Sequence, residues 1–184
     1  IKYYMMKRKI ISVVILYSCL LIAGCTQNVS KRETVSLNGT WQIAEGKKDI
    51  IPPVFNRTIQ VPGLVIMAEP AFENAAPPVP DRYSADRSPN QFYPQQDSLR
   101  EAYWYRRMIN IPRQIPDVAI LKVGKAMFGT RVYLNGSFIG EHLPSFTPGY
   151  FDLKAYLEQG DNELVIAVGS CRNSLPQDVP DGFD

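Results

Sequence analysis

The sequence predicts an all-β fold of the sandwich type, and three observations support that prediction. Short apolar segments, alternating or continuous, recur from residue 37 onward, and Gly- and Pro-rich turns separate them. No segment shows a helical pattern of useful length. Asn135-Gly136, between two apolar runs, is a strong hairpin signal because both central residues of a type I′ turn need positive φ. Short strands at such close spacing are typical of a β-sandwich.

These patterns place the strands along the chain. One helical turn is expected at 153–159, with Asp152 as its N-cap and Gly160 ending it. The last apolar segment, 162–169, contains almost no polar residue, which indicates a strand covered on both faces. The predicted strands are 37–44, 57–61, 103–112, 118–126, 130–136, 137–142, 149–153 and 162–169.

A proline-rich segment at 68–99 interrupts the strand pattern. Proline has no N–H to donate, so the prolines spread from Pro70 to Pro94 exclude a regular ladder. A loop of this length in a compact domain is usually functional or disordered. We expect an insertion that lies over a neighbouring surface.

The N-terminus has the pattern of a bacterial lipoprotein signal. A basic cluster at 7–9 precedes an apolar run of 14 residues at 10–23, which is shorter than the roughly 20 residues that span a bilayer. Small residues then lead into Cys25, the expected lipidation site. An ordinary signal peptide is the alternative. We therefore predict a signal peptide at 1–25, a polar tether at 26–36 and one domain at 37–184, lipid-anchored at the cell envelope.

The charge and the cysteines exclude some classes of protein. The predicted signal carries four positive charges, and removing them from the formal charge of +2 leaves −2 on the other 159 residues. That balance lacks the basic excess of nucleic-acid-binding proteins, so no nucleic-acid partner is expected. Only Cys171 lies beyond Cys25, so no internal disulfide is expected. The length suits a single core.

Few residues look capable of catalysis. His142 is the only histidine, which argues against a histidine-rich metal site, and no glycine-rich phosphate loop follows a strand. Glycoside cleavage needs two carboxyl groups at a defined separation, yet the acidic residues lie mostly in turns or caps. No catalytic residue, metal or cofactor is therefore predicted. The carboxylates considered are Glu101, Glu141, Asp152, Asp161, Glu163, Asp181 and Asp184.

The aromatic residues offer binding chemistry instead. Core packing is the expected role of most strand aromatics, because large rings dominate sandwich cores. Phe146 and Tyr150 flank Thr147-Pro148-Gly149 and are the candidates for an exposed platform that contacts carbohydrate. Arg106 and Arg107 are adjacent in a strand and must point to opposite faces. We expect the inward one to pair with a carboxylate.

Several motifs together resemble the N-terminal sugar-binding domain of glycoside hydrolase family 2, the β-galactosidase, β-glucuronidase and β-mannosidase group. The resemblance covers about 36–44 and 102–169. Its motifs are Trp104-Tyr105-Arg106-Arg107, Val132-Tyr133-Leu134-Asn135-Gly136 with Gly140, Thr147-Pro148 to Phe151-Asp152-Leu153, and Gly160-Asp161-Asn162-Glu163-Leu164-Val165-Ile166.

The resemblance implies a jelly-roll β-sandwich like the galactose-binding domains, incomplete at its C-terminus. In the family an immunoglobulin-like domain and a (β/α)₈ barrel with two glutamates follow this domain. The expected function is a non-catalytic part of a carbohydrate-degrading hydrolase that supports its catalytic barrel. Carbohydrate contacts are expected from the rim segments 81–101 and 176–184, with Arg87, Tyr93 and Asp181 as candidates.

Two alternatives stay open at this point. The chain could be a stand-alone surface lipoprotein that binds a glycan through exposed aromatics, or a scaffold domain of another secreted hydrolase. The partners expected are a glycan, a downstream catalytic domain, and a membrane reached through the lipid anchor on Cys25.

Overall fold

A computed structural model describes residues 32–73, 75, 100–170 and 176. The chain divides into two compact units, 1–36 and 37–184. In the first unit, the described residues 32–36 have no regular secondary structure. The second unit holds all the described strands.

Eight strands and two short 3₁₀ turns make up the described part of the second unit. The 3₁₀ turns are Val65–Met67 and Lys154–Tyr156. The strands are β1 Gly39–Gly46, β2 Arg57–Val61, β3 Ala102–Ile111, β4 Ile120–Val123, β5 Thr130–Leu134, β6 Ser137–His142, β7 Gly149–Asp152 and β8 Gly160–Gly169.

The strands form two antiparallel sheets, a large one in the order β2-β1-β3-β8-β5-β6 and a small one of β4 and β7. The centre of the large sheet is the long pairing of β3 with β8, which runs from Ala102 opposite Gly169 to Ile111 opposite Gly160. The fold is thus an all-β sandwich, as the sequence predicts. Within the described residues, no helix is long and apolar enough to cross a membrane.

Apolar side chains cover both faces of the large sheet. The inner cluster, between the two sheets, joins residues such as Leu164 of β8 to Leu121 of β4 and Phe151 of β7. The outer cluster lies on the opposite face, where Phe55 and the partly buried Ile51 cover it from the loop after β1. Its buried members are Ala44, Phe55, Ala102, Trp104, Val165 and Ala167.

This double burial explains the composition of β8. Leu164 and Val165 are adjacent and point to opposite faces, yet they are 0% and 1% exposed. A central strand with both faces covered needs a continuous apolar run rather than an alternating one. The expectation drawn from 162–169 is therefore confirmed.

The hairpin between β5 and β6 has the predicted turn. Asn135 and Gly136 adopt φ of 50° and 77°. The Asn135 side chain also ties the hairpin to the start of β8. Its Nδ2 donates to Asn162 Oδ1 at 2.9 Å, and its Oδ1 accepts from the Glu163 backbone N–H at 2.9 Å.

Several elements differ from the sequence prediction. β1 begins and ends two residues later than the predicted 37–44. β4 is shorter than the predicted 118–126, because only Ile120–Val123 pairs with β7. The predicted helical turn at 153–159 is a 3₁₀ turn of three residues with Leu153 at its N-cap position. Asp152 still accepts the first-turn Lys154 N–H through Oδ1 at 2.9 Å, so the predicted residue caps the turn from the position before the N-cap.

Candidate carbohydrate-contact site

Two of the carbohydrate-contact candidates predicted from the sequence fall within the described residues, and both lie at or next to β7 in the small sheet. Tyr150 is the second residue of β7 and is 62% exposed, with Lys122 Nζ 5.7 Å from its ring centroid. Phe146 is 43% exposed and lies in the loop before β7. His142 anchors that loop, since its Nε2 lies 3.0 Å from both the carbonyl oxygen and the hydroxyl of Thr147.

The other predicted site residues lie outside the described residues. They are Cys25, Arg87, Tyr93 and Asp181. Within the segment 68–99, the described start packs inward, because Ala68 and Phe72 are buried at 3% and 5% exposure. The Phe72 ring lies 5.2 Å from that of Tyr103 in β3.

A second aromatic group lies on the outer face of the large sheet, and we call it the aromatic ladder. Trp104, Tyr133 and Phe138 are its three rings, with centroids 5.5 Å apart for the first pair and 5.3 Å for the second. Trp104 is fully buried and donates from Nε1 to the Lys47 carbonyl at 2.8 Å. The ladder therefore runs from a fixed buried ring to Phe138, which is 50% exposed.

A charged group flanks the ladder. Arg131 Nε lies 3.1 Å from a Glu141 carboxylate oxygen and 3.9 Å from one of Asp49, and its side chain is only 17% exposed. Burial, followed by the nearby carboxylates of Asp49 and Glu141, raises the pKa of the Tyr133 hydroxyl, while Arg131 opposes the shift. The Tyr133 hydroxyl therefore keeps its proton to a higher pH than an ordinary tyrosine does.

Sequence reasoning assigned the strand aromatics to the core and so missed the ladder. A register shift between Val132 and Tyr133 sets Phe138 opposite Tyr133 and leaves Glu141 opposite Arg131. An irregularity of this kind re-aims side chains without a clear sequence signature. The spacing of two residues between Arg131 and Tyr133, which puts both on one face of β5, is a signal that could have indicated a shared outer face.

The adjacent arginines do point to opposite faces, but the inward one has no carboxylate partner among the described residues. Arg107 donates from Nη1 to the carbonyls of Leu37 and Asn38 at 2.7 and 3.1 Å. Arg106, on the outer face, lies 3.5 Å from Glu163 and 4.3 Å from the Phe55 ring centroid. The expected pairing is therefore wrong in its detail, because backbone carbonyls at the β1 start satisfy the inward guanidinium.

Most of the described carboxylates that the sequence analysis considered, and some others, hold structural contacts. The pKa of Glu101 is lowered, first by the hydrogen bond from the Lys47 ammonium and then by the Lys48 backbone N–H. A general acid for glycoside cleavage needs the opposite shift. Among the described residues, no group of three or more metal-ligating side chains could hold an ion. The contacts are Glu45–Arg100, Glu101–Lys47, Glu141–Arg131, Glu163–Arg106, Asp161–Asn110 and Asp152–Lys154 N.

Comparison with known proteins finds similar sequences among bacterial β-galactosidases. The chain is 32% identical over 146 residues to a β-galactosidase of Streptococcus thermophilus, which covers 72% of this chain and 14% of that enzyme. It is 30% identical over 157 residues to a β-galactosidase large subunit of Lactobacillus acidophilus. This alignment covers 72% of this chain and 24% of that subunit. A match of 81 residues to a Thermoanaerobacter pseudethanolicus β-galactosidase covers 11% of that enzyme. The chain thus spans only a small part of these relatives.

Solved structures of similar fold are also glycosidases. A β-D-mannosidase from Dictyoglomus thermophilum superposes with a TM-score of 0.52 at 22% identity, over 76% of this chain and 16% of that one. A β-D-glucuronidase of the same organism superposes with a TM-score of 0.51 at 19% identity, over 86% of this chain and 25% of that one. Identity this low supports the fold alone. No family model matches the chain.

The sequence similarity and the fold both relate this chain to glycosidases. The β-galactosidase matches extend over most of this chain, and the similar folds belong to enzymes of the same glycosidase group. This chain is similar in sequence to the β-galactosidases, and its described part has the β-sandwich fold found in similar glycosidases, in agreement with the resemblance to glycoside hydrolase family 2.

Proposed function

We propose that the chain is the non-catalytic β-sandwich part of a larger hydrolase that cleaves O-glycosyl bonds. The observation that carries the proposal is the similarity to β-galactosidases, which extends over 146 residues but over only 14% of the relative. The role proposed for the domain is to support a catalytic region and to help position the glycan. The structural contacts of the described carboxylates fit a domain that performs no cleavage itself.

Hydrolysis assays test the absence of catalysis. We expect the purified chain to release no nitrophenol from nitrophenyl β-galactoside, β-glucuronide or β-mannoside. Measurable turnover that disappears when one of the chain's own acids, such as Glu141, is changed to Gln would contradict the proposal. Turnover that survives every such change would indicate a contaminating enzyme, and the same purification from cells that do not express the chain is the control for this.

The reading frame beyond Asp184 tests the link to a larger enzyme. Continuation into sequence similar to the rest of the β-galactosidases would support it. A stop codon directly after Asp184 would favour the second candidate function, a stand-alone surface protein that binds carbohydrate. The exposed Tyr150 ring beside Lys122 favours that second function, because an open ring next to a cation can stack on a sugar and donate to its hydroxyls.

We also propose that Cys25 carries a lipid that anchors the chain at the bacterial cell envelope. The support is the sequence at 7–25: a basic cluster, a short apolar run and small residues before the cysteine. Metabolic labelling with palmitate tests this. Incorporation that persists in a Cys25→Ala variant would contradict the assignment.

A further inference from the structure

The exposed end of the aromatic ladder has the properties of a preorganised stacking surface. Phe138 is half exposed, and its ring lies against Tyr133, which lies against the fully buried Trp104. A ring held in this way loses little conformational freedom when a ligand covers it, so more of the contact energy is available for binding. An aromatic face of this kind suits the apolar C–H face of a sugar ring.

The polar groups beside Phe138 are held in place as well. Glu141 lies opposite Arg131 in the β5–β6 ladder, and their charged groups are 3.1 Å apart. Arg131 also approaches Asp49 at 3.9 Å, from the loop after β1. Fixed donors and acceptors beside an apolar ring are the usual composition of a site for a polyhydroxylated ligand.

The local charge selects among possible ligands. One guanidinium and two carboxylates, from Arg131, Asp49 and Glu141, give this group a net negative charge at neutral pH. Opposite charges favour association and like charges oppose it, whereas a neutral ligand meets no net repulsion. A uronic acid, a nucleic acid or an anionic lipid surface is therefore disfavoured, and a neutral ligand is favoured.

The size of the apolar surface argues against a protein partner. Phe138 is the exposed ring of the ladder; in its strand Ser137 and Glu141 are polar, and the adjacent Ile139 packs against the inner cluster. A stable protein interface buries about 800 Å² on each partner around an apolar centre. One half-exposed ring in polar surroundings matches a single sugar unit better.

We propose that Phe138, Tyr133 and the Arg131–Glu141 ion pair form a binding site for a neutral pyranoside. The site lies on the outer face of the large sheet, whereas Tyr150 lies in the small sheet. The inference is independent of the proposed function, since it needs neither a catalytic region nor hydrolysis. Evidence against the pyranoside site would therefore not contradict the proposed function, and evidence against the proposed function would not contradict the site.

NMR titration of the isotope-labelled chain tests the site, with lactose and cellobiose as neutral probes and digalacturonate as the anionic one. We expect saturable shift changes at Phe138, Tyr133 and Arg131 with at least one neutral disaccharide at millimolar concentrations. Digalacturonate should bind about tenfold more weakly or not at all, because the site is net negative.

Substitutions at Phe138 distinguish ring stacking from non-specific binding to the surface. Phe138→Ala and Phe138→Leu should each weaken binding about tenfold or more, since both remove the ring and the second keeps an apolar side chain on the edge strand. Met108→Ala is the matched control, because Met108 is 57% exposed and alternation along β3 places it on the same face as Trp104. It should bind as the unmodified chain does.

Several results would overturn the proposal. These are the absence of saturable binding for both neutral disaccharides, binding that both Phe138 variants retain, and equal or tighter binding of digalacturonate. A fourth is a dimer seen by analytical ultracentrifugation that disappears in Phe138→Ala. Since β6 lies at the end of the large sheet, that result would assign the ring to a contact between two copies.

Discussion

Asn162 is the buried polar residue on which the junction before β8 depends. It is 0% exposed. Its Oδ1 accepts from the Glu158 N–H at 2.7 Å and from Asn135 Nδ2 at 2.9 Å. Its Nδ2 donates to the carbonyls of Glu158 and Gly160 at 2.8 and 3.0 Å. All four hydrogen-bonding positions of the amide are therefore used, which is what allows a polar side chain in a dry core.

Replacing Asn162 by Ala should cost about 2–4 kcal/mol of unfolding free energy, because it leaves several buried groups without partners. Urea denaturation measures the loss. Asn110→Ala is the matched control, since the Asn110 amide makes one exposed contact, with Asp161 at 2.6 Å; it should cost less than about 1 kcal/mol. Equal losses in the two variants would show that the network at Asn162 is not the cause.

Tyr105 makes stability sensitive to alkaline pH. Burial, and then the nearby Tyr103, raises the pKa of Tyr105 from 10.0 to about 12. The unfolded chain therefore ionises near pH 10 while the folded chain keeps the proton. The contribution of the protonated Tyr105 to the unfolding free energy is therefore fully present below pH 10. It is lost as the pH rises from there through the folded pKa of about 12.

A Tyr105→Phe variant removes this sensitivity. Relative to the variant, the unmodified chain should lose about 2–3 kcal/mol of unfolding free energy between pH 10 and 12. Denaturant titrations at several alkaline pH values measure the difference. Tyr150→Phe, at an exposed ring, is the control for the loss of a tyrosine hydroxyl. Parallel pH curves for the unmodified chain and Tyr105→Phe would contradict the explanation.

At the scale of elements, close packing between β6 and β7 joins the large sheet to the small one. A Cβ added at Gly149, the first residue of β7, would lie 2.9 Å from His142 Cβ and 2.9 Å from Phe151 Cε2. Real Cβ atoms do not approach other atoms so closely, and a well-packed core cannot easily move. Only glycine fits this position, for reasons of space rather than of backbone angle.

Gly149→Ala should therefore destabilise the domain by about 1–3 kcal/mol through overpacking. Gly124→Ala is the matched control, because Gly124 follows β4, the partner of β7, and a Cβ there meets nothing within 4 Å. That change should alter stability by no more than about 0.5 kcal/mol. Thermal melts of both variants decide the matter, and a Gly149→Ala melt like that of the control would contradict the packing argument.

Across the whole domain, one sheet carries apolar clusters on both of its faces. Leu164 belongs to the inner cluster and its neighbour Val165 to the outer one. Because β8 lies between β3 and β5, damage to either cluster affects the same central strand. The two clusters should therefore unfold together.

Leu164→Ala and Val165→Ala should both lower the one unfolding transition, by about 2–5 and about 1–3 kcal/mol respectively. Tryptophan fluorescence reports on the two faces, since Trp41 is in the inner cluster and Trp104 in the outer one. The fluorescence and far-UV circular dichroism transitions should coincide in each variant. A first transition that affects only one tryptophan would show that the clusters are independent.

Most strands could be predicted from the sequence, because their signals are local. The apolar run of β8, the Asn135-Gly136 turn and the boundaries of β2 all depend on near neighbours in the chain. The resemblance to glycoside hydrolase family 2 also followed from motifs within these strands. The positions of the acidic residues were predicted less well, because Glu141, Asp161 and Glu163 lie within strands rather than in turns or caps.

Only the tertiary structure decided which side chains meet. The ladder of Trp104, Tyr133 and Phe138 joins three strands through a register shift, and the carbonyls that satisfy Arg107 come from residues about 70 positions away. The sequence specifies which residues face away from each other in a strand, because that depends on alternation alone. Strand order and register determine which residues face each other across strands, and these are set by packing over the whole domain.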